Sequence, residues 1–110
     1  MDSKTRAFLR KKAASISPTV IIGKDGITEN VLLQTDNVLE TRELVKISCL
    51  DTFDADVKGL INEFAAMLNA EPIQAIGRKM VIYRYSRKCK DHALAEFNDV
   101  NKKPVKKNAK

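Results

Sequence analysis

Gly23-Lys24-Asp25-Gly26 is the stretch of this chain whose residue types could do chemistry. Two glycines three positions apart leave backbone N–H groups open to an anion, and neither carries a Cβ to hold a phosphate away. Lys24 adds a full positive charge. Apolar residues Ile21-Ile22 run into the loop, and Thr28 to Leu39 reads as a helix leaving it. The loop therefore sits where a helix N-terminus favours an anion. That arrangement suits the phosphates of a nucleic-acid backbone. Asp25-Gly26 is also a common tight-turn dipeptide, which leaves a plain turn as the alternative. A hairpin would need a second alternating strand, and Glu29-Asn30-Val31-Leu32-Leu33 does not alternate.

Other chemistries lack their residues. His92, the one histidine, lies in a poorly patterned C-terminal region, and no Ser/His/Asp, Cys/His or metal-ligand spacing stands out. The loop is not a Walker A motif, which has four residues between its glycines and Lys-Ser/Thr after the second. Asp51, Asp54 and Asp56 sit where a helix wants N-caps. Four Phe and two Tyr are too few for a stacking platform, since Phe8, Phe53 and Phe64 belong to packing faces. Tyr83 and Tyr85 fit sheet packing. Backbone and shape recognition of structured RNA is expected over the reading of splayed bases. No enzyme activity, cofactor or metal is expected.

Charge points the same way. The net charge is +6, but residues 1–28 carry +4, residues 29–71 carry −6 and residues 72–110 carry +8. If the fold brings the two ends together, one face attracts a polyanion and another repels it. The chain of 110 residues, 44% hydrophobic, is sized for one domain with a modest core. No apolar run approaches the roughly 20 residues of a membrane span. The N-terminus has no apolar signal segment, and Cys49 and Cys89 share no metal spacing. A cytoplasmic, reducing setting is expected, with no membrane partner and the monomer as the expected state.

The elements that must position the loop follow from periodicity. Ser3 is a candidate cap for a helix over 4–14 whose apolar face holds Phe8, Leu9 and Ala13. Lys12 falls inside that face and must snorkel. Thr19 to Ile22 reads as a strand, and Thr28 caps the second helix. Leu44 to Leu50 is a strand with Val45, Ile47 and Cys49 on one face and Lys46 and Ser48 on the other. A third helix follows, with Val57, Ile61, Phe64 and Leu68 inward. Gly59 within it costs roughly 1 kcal/mol relative to alanine, which implies close packing there. Ile73 to Ile76 and Met80 to Tyr85 form strands around a turn at Gly77-Arg78-Lys79. Asp91 to Phe97 could form a short helix, and 98–110, with five lysines, should be disordered. The order α-β-α-β-α-β-β predicts an α/β layer with right-handed crossovers. The second and third helices then share one sheet face, and the other is left for the first helix, solvent or a ligand.

Several of these segments, taken in order, resemble the CRM (chloroplast RNA splicing and ribosome maturation) domain, a family that includes the small YhbY-type bacterial proteins. They are Leu9-Arg10, Ala13, Ile16, Pro18, Val20-Ile21-Ile22-Gly23-Lys24-Asp25-Gly26-Ile27-Thr28, Glu43-Leu44-Val45-Lys46-Ile47 and Ile76-Gly77-Arg78-Lys79-Met80-Val81-Ile82-Tyr83-Arg84. The resemblance spans about residues 4–88. It implies a two-layer α/β domain similar to the C-terminal domain of translation initiation factor 3, with a mixed four-stranded sheet whose last strand is antiparallel. Residues 1–88 are then the domain and 89–110 a flexible basic extension. Bacterial members are associated with precursors of the large ribosomal subunit, and plant members with organellar intron splicing. The resemblance assigns RNA contact to Gly23, Lys24, Asp25 and Gly26, and basic positions to Arg10, Arg78 and Lys79. Lys12 stands where the family usually has an apolar residue, and Asp25 puts a negative charge in the loop. The expected partner is structured RNA, ribosomal RNA or a pre-ribosomal particle. Lys11 and Arg84 are expected to join the loop's surround; Lys46 could join it across the open sheet face or pair with an acid. The rivals are a protein-interaction module that meets an acidic partner, and an enzyme that binds phosphorylated small molecules at the same loop.

Overall fold

Four strands form one sheet in the computed structural model, which describes residues 1–50, 56–95 and 97. They are β1 (Val20–Ile22), β2 (Leu44–Cys49), β3 (Glu71–Ile76) and β4 (Lys79–Tyr83), in the order β1-β2-β4-β3. Three helices, α1 (Ser3–Ala13), α2 (Glu29–Arg42) and α3 (Val57–Met67), complete the order α-β-α-β-α-β-β. β1 runs parallel to β2, while β4 runs antiparallel to both β2 and β3. The sheet is thus mixed, with its last strand reversed, as the resemblance implied. The crossovers through α2 and α3 step the same way across the sheet, so both helices cover one face. Between them and the sheet lie Ile22, Leu39, Ile47, Phe64, Met80 and Ile82, all fully buried.

The alternation expected in β2 holds: Val45, Ile47 and Cys49 are buried among α2 and α3, and Lys46 and Ser48 face the other way. On that second face α1 packs Leu9 and Ala13 over Leu44, Ile73, Val81 and Tyr83. It covers only the end of the face nearest Leu44 and Tyr83. At the other end Ile21, Ser48, Lys79 and Ile76 lie side by side across the four strands. The isoleucines there are 56% and 63% exposed.

Thr28 caps α2, its Oγ1 accepting from Val31 N at 3.2 Å. The cap of α1 is Asp2 and not Ser3: the Asp2 carboxylate accepts from Thr5 N at 2.8 Å, and hydrogen bonding to the Thr5 side chain, then to its N–H, holds the carboxyl below the ordinary value. Lys12 lies half-buried at the rim of the apolar face, its ammonium donating to Ala93 O at 2.9 Å and standing 6.0 Å from the Phe8 ring centre. Gly59 does not mark close packing. It is exposed, and among the described residues an added Cβ would meet the Asp56 side chain, at 3.1 Å. The caps expected at 51–54 lie outside the described residues; Asp56 precedes α3 without a side-chain cap bond. β3 starts two residues earlier than expected and carries a register shift between Pro72 and Gln74, where proline has no N–H for the ladder. Its turn into β4 is Gly77-Arg78, and Gly77 takes φ +59°, the sign a II′ hairpin needs at its first central position.

The C-terminal segment is docked rather than loose up to the last described residues. Cys89 and Ala93 are buried, and the Phe97 ring lies 5.1 Å from that of Phe8. The boundary expected after residue 88 falls inside this docked segment. Within 91–97 the backbone makes a turn, Ala95 N donating to His92 O at 3.0 Å, and Ala95 and Phe97 are helical. The disorder expected for 98–110 concerns residues outside those described.

Candidate nucleic-acid interface

Parallel pairing sets Ile22, the last residue of β1, beside Cys49 at the end of β2. The Gly23–Gly26 loop therefore leaves the sheet at the same end as Leu50, whose N–H donates to Ile22 O at 2.8 Å. Gly26 N donates to Gly23 O at 2.9 Å, closing a turn, and Gly26 takes φ +72°. Both expectations for the loop meet here: it is a tight turn, and it opens a helix. The Gly26 amide is committed to the turn and is not one of those an anion could use. Gly26 is needed for its backbone sign. Gly23 is not a close-approach glycine within the fold, since an added Cβ would sit at ordinary distance, 3.7 Å, from Leu50. Lys24 and Asp25 stand exposed at the tip. Glu29 in the first turn of α2 favours the helix but opposes a second anion there.

The β3–β4 hairpin delivers Arg78 and Lys79 to this same end. Cys49 N donates to Arg78 O at 2.7 Å. The Arg78 guanidinium donates in return to Cys49 O at 3.1 Å and to Leu50 O at 2.5 Å. Arg78 thus fixes the hairpin against the end of β2. Lys79 is exposed and lies across from Ser48.

The other basic residues are not gathered into one ring. Arg10 and Lys11 are exposed on α1, over the second sheet face. Arg6, on the same helix, donates to Pro72 O and so ties α1 to β3. Lys46 lies beneath α1 and donates to Ala13 O at 3.2 Å, satisfying a carbonyl at that helix's C-terminus rather than pairing with an acid. Arg84 is at the far end of the sheet. It bonds Leu68 O at 2.8 Å and the Asp36 carboxylate at 2.9 Å, and only 18% of its side chain is exposed. Arg84 and Lys46, both expected near the loop, are each engaged within the fold as ties between elements.

One cluster had no local sequence signal. Glu43 ends α2 with φ +67°, a costly conformation for a residue with a Cβ, and is fully buried. Its carboxylate accepts from Ser86 N and Ala93 N, both at 2.7 Å, and lies 2.8 Å from His92 Nδ1. The His92 ring stacks on Tyr85 with centres 5.0 Å apart. Cys89 Sγ completes a group of three donor atoms within 4.8 Å of one another. The carboxylate's bonds are to protein N–H groups, so the cluster works as a clasp on the C-terminal segment. Burial pushes both cysteine thiols up, with the Glu43 charge adding to it at Cys89. Burial likewise carries the Tyr83 hydroxyl to about 12. These groups are poor nucleophiles at neutral pH. Among the described residues no helix is long and apolar enough to cross a membrane.

Fold and loop together describe a small α/β domain with an exposed Gly-x-x-Gly turn at a helix start. The CRS1 / YhbY (CRM) domain family matches residues 1–84, and the chain belongs to that family. It is 31% identical over 94 residues to the "Probable RNA-binding protein YqeI" of Bacillus subtilis, covering 86% of this chain and 98% of that one. It is 34% identical over 91 residues to an "RNA-binding protein" of Haemophilus influenzae, covering 82% and 91%. The solution structure of the hypothetical protein SAV1595 from Staphylococcus aureus, described as a candidate RNA-binding protein, superposes with a TM-score of 0.69. That match has 39% identity and covers 79% of this chain and 91% of that one.

Proposed function

We propose that this chain is a non-enzymatic RNA-binding protein of the cytoplasm that acts, as a monomer, on precursors of the large ribosomal subunit. Membership of the CRM family and the names of its relatives support the RNA partner. The observation that carries the reading is the meeting of the Gly23–Gly26 turn and the Arg78-Lys79 hairpin at one end of the sheet. Lys24 and Lys79 are the exposed cations of that end, and the loop amides other than that of Gly26 can receive a phosphate. Arg10 and Lys11 extend the basic surface along α1. Asp25 weakens the loop's attraction and leaves the lysines to supply it.

Crosslinking in cells followed by sequencing of the bound RNA tests this directly. Enrichment of large-subunit precursor RNA is expected, and its absence from the bound pool refutes the assignment. The rival reading, a module that meets an acidic protein, is separated by nuclease treatment of a native pull-down. Only an RNA-mediated association is lost on that treatment.

A further inference from the structure

Arg87, Lys88 and Lys90 lie just beyond the residues the family matches, on a segment the fold holds rigidly. Upstream of them, Ser86 N is bound by the Glu43 carboxylate, and Ser86 Oγ donates to Glu40 O at 2.6 Å. Downstream, the same Glu43 carboxylate binds Ala93 N and meets His92, while Lys12 donates to Ala93 O. A short loop tied at both ends presents its cations in fixed relative positions.

All three side chains are exposed, as is Arg42, the last residue of α2. None of the four makes an ion pair among the described residues. Arg42, Lys88 and Lys90 line an open cleft of about 440 Å³, with Asp91 the one carboxylate on its rim. A second cleft of about 340 Å³ adjoins it, lined by Glu40 as well as Arg84, Arg87 and Lys88. Four cations without an ion pair among the described residues, set around two adjoining clefts against the carboxylates of Asp91 and Glu40, are a polyanion footprint.

This footprint is at the opposite end of the sheet from the Gly23–Gly26 turn. Glu43 precedes β2 and Leu50 follows it, and the five steps along β2 span roughly 17 Å at about 3.3 Å per residue. That exceeds the screening length of about 8 Å at physiological ionic strength, so the two ends act as separate sites.

We infer that Arg42, Arg87, Lys88 and Lys90 form a second RNA-backbone-binding surface, distinct from the loop, which engages a different segment of the same folded RNA. The inference rests on the RNA-binding reading above. The partner it selects is a structured RNA large enough to reach both ends, since phosphates bound at one end leave the other end free. The gain is then one of effective concentration: once one end is seated, the second binds intramolecularly.

The test uses the full chain and the variant Arg87→Gln/Lys88→Gln/Lys90→Gln, whose changed residues are all exposed. Affinity is measured against salt for a long structured fragment of large-subunit rRNA and for a short duplex. The wild-type chain should prefer the long RNA. The triple variant should lose that preference, and its log–log salt slope on the long RNA should be shallower by about 2 to 3, at roughly 0.7–0.9 per phosphate contact. Lys24→Ala is measured alongside. If Lys24→Ala weakens binding while the triple variant keeps the wild-type slope and preference, the second surface does not exist. If the wild-type chain binds neither RNA, the RNA-binding reading falls, and this inference with it.

Discussion

Glu43→Gln is the most informative single substitution, because it changes charge and one acceptor while leaving shape and backbone alone. Glutamine meets the same φ of +67°, so strain cancels in the comparison. The native carboxylate holds two backbone N–H groups at 2.7 Å from inside a fully buried position. A hydrogen bond to a charged group contributes about 1.5–3 kcal/mol. Glutamine keeps one oxygen for one of those amides and turns an NH2 donor toward the other, leaving a buried N–H unsatisfied. The expected loss is about 2–4 kcal/mol, allowing for weakening of the bond that survives. At roughly 4–8 °C per kcal/mol for a domain of this size, Tm should fall by about 10 °C or more. Hydrogen exchange at Ser86 and Ala93 should quicken more than exchange in β2, because the clasp opens before the sheet does. A Tm shift below about 3 °C, with protection at those two amides unchanged, would show that Glu43 is not the anchor of the C-terminal segment.

RNA affinity should fall steeply with salt, with a log–log slope of about −3 to −5 for four to six phosphate contacts at the loop, the hairpin and α1; a slope near zero removes the electrostatic account. Gly26→Val puts a β-branched side chain at φ +72°; it should weaken RNA binding more than tenfold while circular dichroism still reports a folded chain, and unchanged affinity would take the turn out of the site. Arg78→Ala should lower stability as well as binding, since it abandons the carbonyls of Cys49 and Leu50, whereas Lys24→Ala should lower binding alone; thermal melts of the two variants separate these effects. Asp2 has its carboxyl held below 3.8 by the bond to Thr5, so its capping contribution is present above that value and is lost as pH falls through the lowered one. The Tm difference between wild type and Asp2→Ala should therefore shrink on acidification below about pH 4, and a difference that grows instead contradicts the cap.

What could be read from the chain alone is what short-range physics decides. The β2 alternation and the Thr28 cap involve partners within a few residues, and both are present as expected. The α1 cap was misplaced by one position because Asp2 and Ser3 are adjacent and both competent; only the geometry of the Thr5 amide chooses between them. Gly59 misleads because a glycine in a helix signals a constraint without saying whether core or solvent imposes it, and here it faces solvent. Counting cations could not show which were already occupied. The partners of Arg84 are up to 48 residues away and that of Lys46 is 33 away, so both look like free surface charge until the chain is folded. The Glu43 clasp, with partners 43, 49 and 50 residues distant, has no local signature at all.

The same long-range contacts explain how a chain with an acidic middle can present a basic strip. Of the described acids of residues 29–71, Glu29, Asp36 and Glu40 lie on α2 and Glu63 on α3, and two of them, Asp36 and Glu40, are drawn to Arg84. Cations from the two ends of the sequence reach the opposite side by different routes. The loop and hairpin carry Lys24 and Lys79 to one end of the sheet, α1 carries Arg10 and Lys11 over the part of the second face nearest Leu44 and Tyr83, and the clasp holds Arg87, Lys88 and Lys90 at that far end. On the proposed reading, an RNA is steered away from the α2 and α3 side by repulsion and toward α1 by attraction. α1 then adds Arg10 and Lys11 beside the far pole rather than standing at the centre of a single ring. The strip's length, not the chemistry of any one residue, becomes the basis on which a folded RNA is preferred to a short duplex.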